Sequence, residues 1–303
     1  MPQLQVSIQL PYLLRLKDGD YPTSPAGEPL ALSQMRLSEG AAARTNVRAL
    51  FDHPDVSSTS ARQRLRMHDA EQLLRRTNRL LRWYRAVSRS AEVIELTRAQ
   101  ASPFRFEVAG AAADDDWGDL LTYKAELQTP ISTVVEELTE AVHDGLSTGD
   151  EPGVADLFLL DAEQALYDGR FREAVLLSWS TIDAVFNAKY DRLVNAALAG
   201  EWAPAREFFT GVDFGLRNKM SAVMHLVAKR SLFREPDDLW EAISASYNKR
   251  NSIIHRGENA SEDEAQAALQ VARRIIEVMD SLRGPNKTGT GSEPNGANRS
   301  KTA

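Results

Sequence analysis

The chain has no cysteine among its 303 residues, which excludes disulfides, thiolate nucleophiles and cysteine-ligated zinc. Histidine is scarce as well. The five present are scattered, with no His-Glu-x-x-His or comparable ligand spacing, so chemistry without a metal or other cofactor is expected. No uncharged apolar run approaches the roughly 18 residues that span a bilayer, and the first residues lack the basic start and continuous apolar core of a secretory signal. The expectation is a cytoplasmic protein with no membrane contact. Excess positive charge is missing too: 36 Lys and Arg face 43 Asp and Glu, a net charge of -7, which argues against bulk attraction to nucleic acid. What remains, 43% hydrophobic and 26% charged residues, is ordinary for a globular chain long enough for two cored domains.

The charge is unevenly spread. Between residues 107 and 163 carboxylates dominate and Lys124 is the one base among the lysines and arginines, whereas residues 62–89 are dominated by arginine. Three readings are open: an internal salt-bridged contact, an acidic mimic of nucleic acid that inhibits the basic helix, or two solvated surfaces.

Residues 1–128 read as a small α+β domain with a long arginine-rich helix. Leu4, Val6, Ile8 and Leu10 alternate with polar residues in a half-buried strand that Pro11 ends. After a turn-rich loop, Leu30, Leu32, Met35 and Leu37 suggest a second strand paired with the first in a hairpin. Residues 41–51 are expected to form a short helix. A long helix should run from the cap-like Ser57-Ser58-Thr59-Ser60 to about Ser90, with Leu73, Leu80, Tyr84 and Val87 on its apolar stripe. Arg64, Arg75, Arg79, Arg82, Arg85 and Arg89 line the other side, where they could track an RNA backbone or pair with the acidic belt. Trp83, at the stripe's edge, could be core or a base-stacking platform. Residues 92–97, 103–108 and 120–127 are further strand candidates, and Asp114-Asp115-Asp116 reads as a solvated loop without the spacing of a calcium site.

Residues 129–153 form a connecting helix, opened by Thr129-Pro130 and running to about His143, and a linker at Ser147-Thr148-Gly149-Asp150-Glu151-Pro152-Gly153. Only helices are expected from 154 to 283: 154–167, 170–198, 214–231, 238–256 and 261–282, a bundle. The tail at 284–303, rich in Gly, Asn, Ser, Thr and Lys, should be disordered.

The stretch that carries chemistry is Arg250-Asn251-Ser252-Ile253-Ile254-His255, near the end of the fourth of these helices. Pro236-Asp237-Asp238 marks that helix's start and Gly257 its end, and Leu239, Trp240, Ile243, Tyr247 and Ile254 form its expected buried stripe. At about 100° per residue, His255 lies about 40° round from Asn251, and Arg250 flanks that face at about 140° from His255. An imidazole can take or give a proton near neutral pH, and a guanidinium holds a phosphate with paired donors. Together they suit transphosphorylation of RNA: His255 takes the 2′-hydroxyl proton, Arg250 stabilises charge on the phosphoryl oxygens, and Asn251 orients either. The plainer alternative is a histidine in a last turn acting as a favourable C-terminal cation.

From Arg250-x4-His255, with Asn251 in the polar place, and from the upstream runs 160–174 and Ser178-Trp179-Ser180-Thr181-Ile182-Asp183, residues 154–283 resemble a HEPN domain of the Apea-like kind. The resemblance does not reach residues 1–128. It implies an all-helical fold, a two-fold dimer in which both copies of the motif line one cleft, and an RNA substrate cut without a metal, as in toxins and defence effectors that pair with an antitoxin or regulatory partner. Asp183 would support the site by holding His255 in one tautomer, or would make a plain interhelical hydrogen bond. The rival expectation is a catalytically silent module that dimerises or binds nucleic acid, with the N-terminal domain as sensor.

Overall fold

A computed structural model describes residues 3–23, 28–35, 44–52, 58–101, 104–108, 134–198, 204, 207–209, 215–236 and 238–282. The expected strand at 120–127, the aspartate loop at 114–119 and the tail at 284–303 lie outside the described residues. No described helix is long and apolar enough to cross a membrane. The architecture is α+β followed by a helical region, and the chain divides into two compact units, Met1–Arg170 and Phe171–Ala303.

The first unit is built on an antiparallel sheet of five strands: β1 Gln3–Gln9, β2 Gly19–Tyr21, β3 Leu30–Met35, β4 Arg44–Asp52 and β5 Arg105–Val108, in the order β2-β3-β4-β1-β5. Two expectations fall here. Residues 44–52 are a strand rather than a helix, because Thr45, Val47, Ala49 and Phe51 are buried while Arg48, Leu50 and Asp52 are exposed, a period of two. β4 also separates the proposed hairpin partners: β1 pairs with β4 at Val6↔Ala49 and Ile8↔Val47, and β3 pairs with β4 at Leu32↔Val47.

Helix α1, Thr59–Ser88, lays Leu73, Leu80, Leu81 and Tyr84 over Val6, Ile8, Val47 and Phe51, so the sheet's apolar face is buried. After a four-residue helix α2, Arg98–Ala101, and β5, helix α3 at Glu136–Thr148 adds Val142 and Leu146 to that core. Helix α3 thus continues past His143 to a left-handed Gly149 at φ 83°. Residues 92–97 are irregular rather than a strand. The Asn78 carboxamide accepts from the Leu96 backbone N–H at 2.8 Å and donates to its carbonyl at 2.9 Å, doing for that backbone what a neighbouring strand would. Trp83 packs on this core, its ring against Gly145 and its indole N–H on the Asp150 carbonyl at 3.2 Å.

Helix α4, Val154–Tyr167, clusters with this first unit and packs on α1, where Arg85 meets Asp161 at 2.6 Å and Arg89 meets Asp156 at 2.7 Å. The compositional break at 147–153 therefore does not coincide with the division between compact units, which falls at Arg170.

The second unit is helical. Helix α5, Phe171–Ala197, is followed by a single helical course in three parts: α6 Leu216–Asn218, a π-turn Lys219–Val223 and α7 Met224–Ala228. A 3-10 turn at Leu232–Arg234 leads to α8, Leu239–Arg256, and then α9, Glu262–Ser281. The side chain of Ser261 accepts from the Glu264 backbone N–H and Glu264 reaches back to the Ser261 N–H, a capping box that starts α9 sharply. The core consists of Trp179, Ile182, Phe186 and Tyr190 of α5 with Leu239, Ile243 and Ile253 of α8 and Ala268, Ala272, Ile275 and Met279 of α9. The expected stripe of α8 needs one correction: Ile254 is 47% exposed and Ile253 takes the buried place. Ile253 lies seven residues beyond the buried Ser246, about 20° short of two full turns, so the two share a face, and Ile254 is turned about 100° from it.

Candidate functional site

The site is organised by α8. A buried hydrogen bond fixes its register on α5: the Trp179 indole N–H donates to Ser246 Oγ at 2.9 Å, with Tyr247 edge-on to the same indole at 5.2 Å. One turn further along each helix stand Asp183 and Arg250, four residues beyond Trp179 and Ser246. Asp183 is half-buried, and burial pushes its carboxyl above the usual carboxylate range, while the nearby charges of Arg250 and Lys219 pull it back down. Arg250 is also half-buried and donates to Asn251 Oδ1 at 3.0 Å. Thus the guanidinium is held by its neighbour's carboxamide, and its charge acts on the Asp183 carboxylate of the adjoining helix.

His255 lies five residues on, about 7.5 Å farther along the axis. It is exposed, in the last turn of α8, and its ring has no hydrogen-bond or ion-pair partner among the described residues. The turn that carries it is closed by Gly257 at φ 67°, whose N–H donates to the Ile253 carbonyl at 3.1 Å while Glu258 N–H reaches Ser252 at 3.4 Å. That is the left-handed termination glycine allows at little cost. The other cations of this helix end are engaged: Lys249 with Glu264 at 2.9 Å, and Arg256 with Glu258 at 3.1 Å and with the Ser252 hydroxyl. Glu264 is held below the usual carboxylate range, first by the Ser261 backbone N–H and then by Lys249. Arg250 and Asn251 are half-buried and joined to each other while His255 is exposed, with proton-transfer, guanidinium and carboxamide functions on one and a half turns.

The charges that act on Asp183 are those of Arg250 and Lys219. Lys219 is the addition that sequence reading missed. It stands in the π-turn, its ammonium 5.6 Å over the Tyr190 ring, and its charge, like that of Arg250, favours the ionised form of Asp183. No residue pattern announces an i to i+5 turn, although such turns recur at functional sites.

The arginines of α1 are placed differently. Arg79 donates to the Thr23 and Asp150 carbonyls, the latter at 2.7 Å, and Arg82 pairs with Glu95 at 2.7 Å and Glu151 at 2.8 Å. Arg85 is 3% exposed and paired with Asp161, Arg89 pairs with Asp156, and Arg75 is exposed. Among the described residues no group of three His, Asp or Glu side chains converges as metal ligands would. Comparison with protein-family models, curated proteins and solved structures finds no match to this chain.

Proposed function

We propose that the chain is a metal-independent endoribonuclease of the HEPN type, acting as a toxin or defence effector. The observation that carries the reading is the exposed His255 imidazole, without a partner among the described residues, one turn beyond an Asn251 that holds the Arg250 guanidinium. In this mechanism His255 takes the proton of a 2′-hydroxyl, the 2′-oxygen bonds to the adjacent phosphorus, and the P–O5′ bond breaks. Arg250 stabilises the charge on the phosphoryl oxygens, and a second imidazole from a second copy of the chain protonates the leaving 5′-oxygen. The products are a 2′,3′-cyclic phosphate and a 5′-hydroxyl. Any RNA contact from α1 would rest on Arg64 and Arg75, which are exposed, because Arg79, Arg82, Arg85 and Arg89 already donate within their own unit. An antitoxin or regulatory partner and the dimer belong to the same proposal.

The second reading is a catalytically silent scaffold, favoured by the Arg250 guanidinium already being engaged with Asn251. Overproduction separates the two. The ribonuclease slows growth, and His255→Ala relieves the effect while the circular dichroism spectrum and oligomeric state stay as they were. Normal growth with the unaltered chain at high expression supports the scaffold instead.

A further inference from the structure

Three side chains at the opposite end of α8 from the motif make an exposed aromatic and cationic patch. Phe233, 59% exposed, meets Trp240 edge-on, with centroids 5.4 Å apart and planes at 75°. Arg217 lies over the Trp240 ring with its guanidinium carbon 5.4 Å from the centroid, and it donates to Ser244 Oγ at 3.0 Å. Arg234, beside Phe233, is exposed. The surrounding charge is mixed: Arg217 and Arg234 stand with the exposed Asp238 at the start of α8, Glu235 is taken up by Arg230 at 2.8 Å, and Glu241 is turned about 100° away from Trp240 on the helix.

The helix connects this patch to the motif. Counting about 100° per residue from Trp240, Ser244 lies about 40° round, Asn251 about 20° and His255 about 60°, so all four share one face. Along the axis Asn251 and His255 are about 16 and 22 Å from Trp240. A single strand extended along that face from His255 would place a base several nucleotides away onto the aromatic patch.

We propose that Phe233, Trp240 and Arg217 form a nucleobase-stacking subsite for single-stranded RNA, set along α8 from the scissile position. Base stacking on an aromatic ring tolerates any base because each has a π-face, and a guanidinium adds attraction for the flanking phosphate. Among the described residues neither Arg217 nor Arg234 is paired with a carboxylate, and a strand supplies phosphates to both. The subsite rests on the ribonuclease reading only for the direction of the strand, since stacking needs no cleavage.

The test uses the full chain carrying His255→Ala, which leaves bound RNA uncut. Anisotropy is measured with a fluorescein-labelled single-stranded decaribonucleotide of mixed sequence and with a labelled dinucleotide. Phe233→Ala should weaken the decamer by about 5- to 100-fold, the range expected for one stacked base, and leave the dinucleotide unchanged, while Phe233→Tyr should restore decamer binding. Arg217→Glu should weaken the decamer as well, and it covers the case in which Phe233→Ala unfolds. The proposal is overturned if the decamer does not bind, if neither Phe233→Ala nor Arg217→Glu changes its affinity, or if they alter the sedimentation coefficient alone, which would assign the patch to a protein contact. The two ideas fail separately. Decamer binding that depends on Phe233 in a chain that cuts no RNA leaves the subsite standing without the nuclease, and His255-dependent cutting with affinity indifferent to Phe233 does the reverse.

Discussion

Ser246→Ala tests the contact that sets the site's geometry. The serine is 7% exposed and Trp179 is 2% exposed, so the substitution strands an indole N–H where water does not reach it. A buried donor left without an acceptor costs about 1–3 kcal/mol. Alanine in a helix interior returns about 0.5 kcal/mol of propensity relative to serine, so the net loss should be about 0.5–2.5 kcal/mol. Urea unfolding followed by tryptophan fluorescence would read it as a lower midpoint with an unchanged slope. Trp179→Phe alone removes the donor and also leaves a void in the core, but combined with Ser246→Ala it should cost less than the two single losses together. The coupling should exceed about 0.5 kcal/mol, since residues that share a hydrogen bond do not act independently. Additive losses, or a Ser246→Ala change below about 0.3 kcal/mol, would show that this bond does not hold α5 and α8 in register.

Gly145→Ala should destabilise the first unit by about 1–3 kcal/mol in the same unfolding measurement, despite the roughly 1 kcal/mol alanine normally gains over glycine in a helix, because its methyl would stand 2.4 Å from the Trp83 ring. Gly257→Ala should cost about 1–2 kcal/mol through its φ of 67° alone, since nothing lies within 4 Å of the added carbon, and calorimetry should show it as a lower Tm. Asp183 makes a pH-dependent contribution whose sign follows from burial. Its folded pKa is raised, so its contribution to stability is full below the unfolded pKa and is lost as pH rises through the folded one. Asp183→Asn, which keeps the neutral form, should gain stability relative to the unaltered chain between about pH 4 and pH 7, and a difference in urea midpoints that stays flat across that interval would contradict it.

Much of the helical unit can be read directly from residue order. Gly257, Ser261 and Glu264 announce helix ends by their own backbone chemistry, and α8 and α9 begin and end within a residue or so of those signals. The first unit is harder for a physical reason. Thr45, Val47, Ala49 and Phe51 alternate as a strand should, yet Arg48, Ala49 and Leu50 are also compatible with a helix, and only the pairing of β4 with both β1 and β3 decides. Residues 92–97 have strand-like composition, and it is a side chain from α1, Asn78, that satisfies Leu96 instead. At the site, the common face of Asn251 and His255 follows from spacing alone. The influence of Arg250 and Lys219 on Asp183 does not, because it depends on how three helical segments are arranged. The same holds for α1, where periodicity finds the arginine face but not the carboxylates and carbonyls that occupy it.

The central claim is that His255 and Arg250 cut a phosphodiester, and the ends left on RNA test it most directly. Purified chain incubated with single-stranded RNA in EDTA should release fragments ending in a 2′,3′-cyclic phosphate and beginning with a 5′-hydroxyl. His255→Ala should slow that release by about 10²- to 10⁴-fold, the usual contribution of a positioned acid or base, and Arg250→Ala should also slow it. Intact RNA, fragments carrying 3′-hydroxyl and 5′-phosphate ends, or cleavage undiminished by His255→Ala would contradict it.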